Sequence, residues 1–151
     1  MLDLSEYLPY LINRVGGAVS DAFGDELAKD ALTISMWRVL AVLIHNGSQY
    51  MTNLAELTTI EPSTLSRLIG TLQRRGLVTR KRNGSDGRLV SVALSARGTA
   101  LTTRLLPAAA DLQDRMIAGM PPADVATLRR LLKKLHATIH SGAAQSDQQT
   151  A

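Results

Sequence analysis

Three features of the sequence predict a mainly α-helical chain carrying one small β-hairpin. Apolar residues recur at helical spacing through most of the 151 residues. One stretch, Leu77 to Leu94, reads instead as two strands around the turn-forming run Asn83 to Gly87. Aromatic residues make up only 3% of a chain that is 45% hydrophobic, so the core is aliphatic.

The first element runs from Ser5 to Lys29. Leu8, Leu11, Ile12, Val15, Val19 and Phe23 give it an apolar stripe, and Pro9 and Gly16-Gly17 favour a bend. In the next helix Thr33 or Ser35 can cap, Trp37, Leu40, Ala41 and Ile44 form the stripe, and Asn46-Gly47 ends it. A short helix follows, capped by Thr52 and supported by Glu56, with Leu54, Ala55 and Leu57 inward. Pro62 opens a fourth helix, as suits a residue with no amide hydrogen to lose. Leu65, Leu68, Ile69 and Leu72 line one face of it, and Gly76 supplies a left-handed stop.

Leu77 to Arg82 is the first strand of the hairpin. Leu89 to Leu94 is the second, with Val90, Val92 and Leu94 on one face. Ser95 caps a helix from about Ala96 to Gly119, in which Pro107 predicts a kink or break. After Pro121-Pro122 a last helix carries Val125, Leu128, Leu132, Leu135 and Ile139 inward. Residues 142–151 are small and polar and read as a disordered tail.

Charge narrows the function. The net charge is +4, a weak surplus, but it is local. Between Pro62 and Arg97 lie Arg67, Arg74, Arg75, Arg80, Lys81, Arg82, Arg88 and Arg97, with Asp86 the only acid. That is the footprint of a surface that meets phosphate. The chain has no cysteine, which excludes a disulfide scaffold, thiolate metal sites and thiol redox sensing. No apolar run is long enough for a membrane span, and the N-terminus lacks a secretory pattern, so a cytoplasmic location is expected.

Helix, helix and hairpin in this order form a winged helix-turn-helix. Opposite the apolar face of the fourth helix stand Ser63, Arg67, Gly70 and Arg74, with Ser66 and Thr71 at the edges. Ser63, Thr64 and Ser66 cluster at its N-terminus, where amide hydrogens attract phosphate. Such a helix enters the major groove, and the hairpin reaches toward the backbone and minor groove. Arg88 is the candidate minor-groove finger. Asp86 is expected to fix the direction of a guanidinium, that of Arg88, Arg80 or Arg82. The candidate DNA-binding residues are Ser63, Thr64, Ser66, Arg67, Arg74, Arg80, Arg82, Asp86 and Arg88, and the partner is double-stranded DNA.

The stretches "LTISMWRVLAVL", "TNLAELTTIEPSTLSRLIGTLQRRGLVTRKRNGSDGRLVSVALSARG" and "GMPPADVATLRRLLKKL" resemble the MarR family of bacterial transcriptional regulators. The Asp86-x-Arg88 pair followed by "LVSVALSARG" is similar to that family's wing and the start of its long dimerisation helix. The resemblance covers nearly all of residues 5–140. It implies a homodimer with interleaved terminal helices and two winged domains on a pseudo-palindromic operator. It also implies repression relieved by a small-molecule effector. Pro121-Pro122 departs from the family's usual Ser or Thr cap.

The expected organisation is one protomer, 1–141, with dimerisation helices at about 5–29 and 98–140 and a DNA-binding region at about 33–97. Terminal helices this apolar would expose large patches on a lone chain. For the effector, Tyr10 and Arg14 stand one helical turn apart, an aromatic beside a guanidinium, with Trp37 as further wall. That suits an aromatic acid or its thioester, though dimer packing with Arg14 in a salt bridge explains the same residues. His136 and His140 can be read as chelating or as favourable helix C-terminal residues, and no metal or other cofactor is expected. No catalytic motif appears, so an enzyme is not expected. An architectural DNA binder without ligand control is the alternative function.

Overall fold

Leu77 joins the fourth helix, the hairpin and the fifth helix. In the computed structural model, which describes residues 2–83 and 89–148, the chain divides into two compact units, Met1–Leu112 and Gln113–Ala151. The first holds helices α1 (Leu8–Ala28), α2 (Ile34–Asn46), α3 (Met51–Thr58) and α4 (Pro62–Arg74). It also holds strands β1 (Gln49–Tyr50), β2 (Val78–Asn83) and β3 (Leu89–Leu94), and most of α5 (Ala96–Met116). The second holds α6 (Pro122–Gln148).

α1 is one uninterrupted helix through Gly16 and Gly17. Its C-terminal half is core: Phe23 and Leu27 are buried, and the Phe23 ring meets Trp37 edge-on at 5.3 Å between centroids. Its N-terminal half leaves Leu8, Tyr10, Ile12 and Val15 exposed. Thr33 caps α2, its hydroxyl accepting from the Met36 amide at 3.2 Å. Gly47, at φ 73°, ends the helix in a backbone region closed to most side chains. The inward face of α2 is Val39, Leu40 and Leu43, with Trp37, Ala41 and Ile44 only partly buried. The expected stripe is thus rotated toward its neighbour.

The short α3 corrects two expectations. It begins at Met51, not after a Thr52 cap, because Tyr50 belongs to β1 and pairs with Ser91 of β3, so strand passes directly into helix. Leu57 is 49% exposed, and Thr58 takes the buried place one turn after Leu54. A buried hydroxyl needs a partner. The Thr58 hydroxyl finds one by donating to the Leu54 carbonyl at 2.6 Å.

β1 makes the hairpin into a three-stranded antiparallel sheet, ordered β1-β3-β2. In the β2–β3 register Val78 faces Leu94, Arg80 faces Val92 and Arg82 faces Val90. The core joins Phe23, Leu27, Leu40, Leu54, Leu65, Ile69, Leu72, Leu77, Val92 and Leu105. Each fully buried leucine contributes about 1.5–3 kcal/mol relative to exposure.

α4 ends in a Schellman arrangement. Gly76 (φ 70°) donates to the Gln73 carbonyl at 2.9 Å, and Leu77 donates to the Leu72 carbonyl at 2.9 Å. The Leu77 carbonyl then accepts from the Ser95 amide at 3.0 Å. Ser95 caps α5 by accepting from the Gly98 amide at 2.9 Å, and its hydroxyl donates to the Gly76 carbonyl at 2.6 Å. α5 stays helical through Pro107 and stops at Met116.

In the second unit only Val125 of the expected inward residues is buried. Leu128, Leu132, Leu135 and Ile139 are exposed in the single chain, as is Leu131. α6 also continues to Gln148, past position 141, carried by Ala143, Ala144 and Gln145, all good helix formers.

Gly98 has no room for a side chain. A Cβ there would lie 1.9 Å from the Leu77 carbonyl oxygen. Gly98→Ala is therefore expected to destabilise the fold by about 1–3 kcal/mol, the usual cost of overpacking. The denaturation midpoint measures this, and an unchanged midpoint would show that α5 and the α4–β2 turn separate freely.

Candidate nucleic-acid interface

α4 presents two opposed faces. Leu65, Ile69 and Leu72 are buried, while Ser63, Thr64, Ser66, Arg67 and Arg74 are exposed. One stripe of the helix holds it in the core and the other stays free. The exposed arginines are steadied by threonines one turn back. Arg67 Nη2 donates to Thr64 Oγ1 at 3.5 Å, and Arg74 Nη2 donates to Thr71 Oγ1 at 3.0 Å.

Strand β2 stands beside this helix. Arg80 and Arg82 are exposed on it, and Arg80 Nη2 donates to the Ser66 carbonyl at 2.9 Å. The structure thus gives Arg80 a bracing role between wing and helix that the sequence does not show. Asp86 and Arg88 lie outside the described residues.

Arg75, on the same basic stretch, turns away from this surface. Its guanidinium donates to the Ala31 carbonyl at 2.7 Å and the Asp30 carbonyl at 2.6 Å, fastening α4 to the α1–α2 turn. Asp30 is also paired with Arg104 of α5 at 2.5 Å. These partners are far apart in sequence, so no local pattern signals them.

The residue that sequence reading missed is Glu61, the N-cap of α4. Its carboxylate accepts from the Ser63 amide and the Thr64 amide, each at 3.0 Å, and from the Ser63 hydroxyl. The signal was available: an acid directly before a proline-initiated helix is a cap pattern. The consequence is that these two amides are already satisfied. Hydrogen bonding, led by the Ser63 hydroxyl and then the Ser63 and Thr64 amides, holds the Glu61 pKa down at about 2 against an ordinary 4.5.

The expected effector residues are divided in the single chain. Arg14 stacks over the Tyr10 ring at 5.7 Å and lines a shallow groove with Leu11, Val15 and Ala18. Trp37 lines a separate cleft of about 560 Å³ between α1 and α2, with Ser20, Arg38, Ala41 and His45. His136 and His140 stack at 4.1 Å on α6, with His140 Nδ1 at 2.9 Å from the His136 carbonyl. Among the described residues no group of three or more His, Cys, Asp or Glu could hold a metal ion, and no helix is long and apolar enough to cross a membrane.

The Glu61 cap has a pH signature. With a folded pKa below the ordinary value, it contributes stability fully above about pH 4.5 and loses it as the pH falls toward 2. Glu61→Gln should flatten the dependence of Tm on pH across that window. Identical slopes for variant and wild type would remove the cap from the account.

Residues 32–89 match a family model described as MarR family. A MarR-family transcriptional regulator from Silicibacter pomeroyi has a structure similar to this one with a TM-score of 0.81. It is 33% identical, and the match covers 91% of this chain and 92% of that one. BpsR of Bordetella bronchiseptica, described as regulated in its DNA binding by 6-hydroxynicotinic acid, is 25% identical at a TM-score of 0.78, over 85% of this chain and 97% of its own. The transcriptional repressor IacR of Pseudomonas putida is 27% identical over 124 residues, 82% of this chain and 74% of that protein. An α4 with one face buried and one polar, a strand pair beside it, and this degree of likeness along nearly the whole chain lead to one conclusion: the protein belongs to the MarR family of transcriptional regulators.

Proposed function

We propose that this regulator is a homodimeric repressor that binds a pseudo-palindromic operator in the cytoplasm and leaves it when an anionic aromatic molecule binds. The observation that carries the DNA reading is the exposed row Ser63, Thr64, Ser66, Arg67 and Arg74 on a helix whose other face is core. Arg80 and Arg82 extend the row onto the wing, and Arg88 and Asp86 are assigned to its tip on sequence alone. Support for repression and ligand control comes from IacR, a named repressor, and from BpsR, whose DNA binding responds to an aromatic acid.

Dimerisation rests on the apolar residues each unit leaves exposed, Leu8, Ile12 and Val15 on α1 and Leu128, Leu131 and Leu135 on α6. A two-fold pair would set two α4 helices about one DNA turn apart, roughly 34 Å.

Filter binding against salt tests the DNA reading. Each phosphate neutralised adds about 0.9 to the log–log slope, so two protomers should give a slope steeper than about −4. Arg67→Ala should relax base preference, one good base contact supplying roughly 1–3 kcal/mol of discrimination. Arg88→Ala should weaken operator binding with the fold intact. A flat salt response would mean that Arg80 and Arg82 do not face the backbone. Footprints with sharp boundaries separate a repressor from an architectural binder, which protects without them.

For the effector, Arg14 is assigned to the anionic group and Tyr10 and Trp37 to the aromatic wall. Ligand and DNA must weaken each other reciprocally, by roughly 5- to 150-fold for a typical coupling. Benzoate-, cinnamate- and salicylate-type acids and their thioesters, titrated into a preformed operator complex, should release wild type more readily than Arg14→Ala or Trp37→Ala. Equal release of Arg14→Ala would make Arg14 structural. Because Trp37 and Arg14 line different recesses here, loss of response in Trp37→Ala alone would place the ligand in the α1–α2 cleft.

A further inference from the structure

The N-terminus of a helix that enters DNA is normally a place for phosphate, because its free amides and its dipole both favour an anion. In α4 that place is taken. Glu61 accepts from the amides of Ser63 and Thr64, and it carries a full negative charge at an exposed position. A backbone phosphate approaching this end would meet a carboxylate rather than free donors. Ser63 is also committed, its hydroxyl donating to Glu61.

The same carboxylate keeps some capacity. An ionised carboxylate offers about four acceptor sites. Glu61 uses three of them, for the Ser63 amide, the Ser63 hydroxyl and the Thr64 amide. It has nothing to donate, so what it can meet on DNA is a donor. In the major groove the donors are exocyclic amino groups, and cytosine N4 is the usual partner of an acidic side chain. The first residues of a recognition helix are those that reach base edges.

We infer that Glu61 is a specificity-determining residue of the regulator, excluding backbone phosphate from the tip of α4 and accepting a hydrogen bond from cytosine N4. This rests on the reading of α4 as the DNA-recognition helix. Glu61 thereby weakens binding to DNA at large while favouring a site with cytosine in register. Two effects combine in one side chain: an electrostatic penalty everywhere and a contact available at one base.

Selection of the full-length protein from a pool of random-sequence duplexes, followed by affinity measurements on the enriched site and on random duplex, tests this. Glu61→Gln should bind random duplex more tightly than wild type. Its ratio of specific to random affinity should fall roughly 5- to 150-fold, the span of one good base contact, and cytosine should lose its preference at one position of each half-site. Glu61→Asp keeps both the charge and a strong cap. It should therefore bind random duplex as weakly as wild type, and it decides the question of phosphate if the Gln variant melts early. If wild type enriches no sequence, the DNA-recognition reading falls and this inference with it. If wild type enriches a site and Glu61→Gln keeps the same ratio and base preference, only the inference on Glu61 is overturned. Random-duplex affinity rising equally in the Asp variant would overturn phosphate exclusion.

Discussion

The close approach of Gly98 to the Leu77 carbonyl sets how α4, β2 and α5 meet. Leu77 closes the turn that follows α4, directly precedes β2, and lies against Gly98 of α5. Its amide closes the Schellman turn, and its carbonyl receives the Ser95 amide. Because Gly98 lacks a Cβ, α5 can lie flush against this point, and Ser95 bonds both sides of the junction. α4, β2 and α5 therefore share one joint. Anything that displaces α5 must carry the end of α4 with it.

Around that joint, arginines of similar sequence context take different work. Arg67 and Arg74 remain outward, each lightly held by a threonine. Arg80 leans across from the wing to the Ser66 carbonyl, which fixes the angle between sheet and helix. Arg104 pairs with Asp30 near the α1–α2 turn. Positive charge near the interface is thus partly surface and partly scaffold, and the single acid at the head of α4 adds a local reversal of sign.

Local chemistry was legible in the sequence. The Thr33 and Ser95 caps, the glycine stops at Gly47 and Gly76, and the buried face Leu65, Ile69 and Leu72 all depend on neighbours within a turn or two, and the structure shows each of them. The misses depend on distant partners. A two-residue strand such as Gln49–Tyr50 has no periodicity to detect, and it exists because β3 offers an edge. That pairing in turn moved the start of α3 and removed the Thr52 cap. Thr58 is buried in place of Leu57 because helix rotation, not side-chain polarity, chooses the inward residue, and the hydroxyl bonds its own helix. The composition of the exposed face of α4 was readable. The commitments of Arg75 and Arg80 were not, since their hydrogen bonds follow from tertiary placement, whereas the Glu61 cap is a local pattern present in the sequence.

Arg75 carries a lesson about counting ions. By composition it is one more cation beside the exposed face of α4. In the fold both of its terminal nitrogens are held by carbonyls of the α1–α2 turn. Counterions leave DNA only when a charge reaches phosphate. A tally of arginines and lysines along this stretch therefore overstates the polyelectrolyte valence of the surface. On this chain a charge map drawn by residue type counts Arg75 as a surface cation, and one weighted by hydrogen-bond commitment does not.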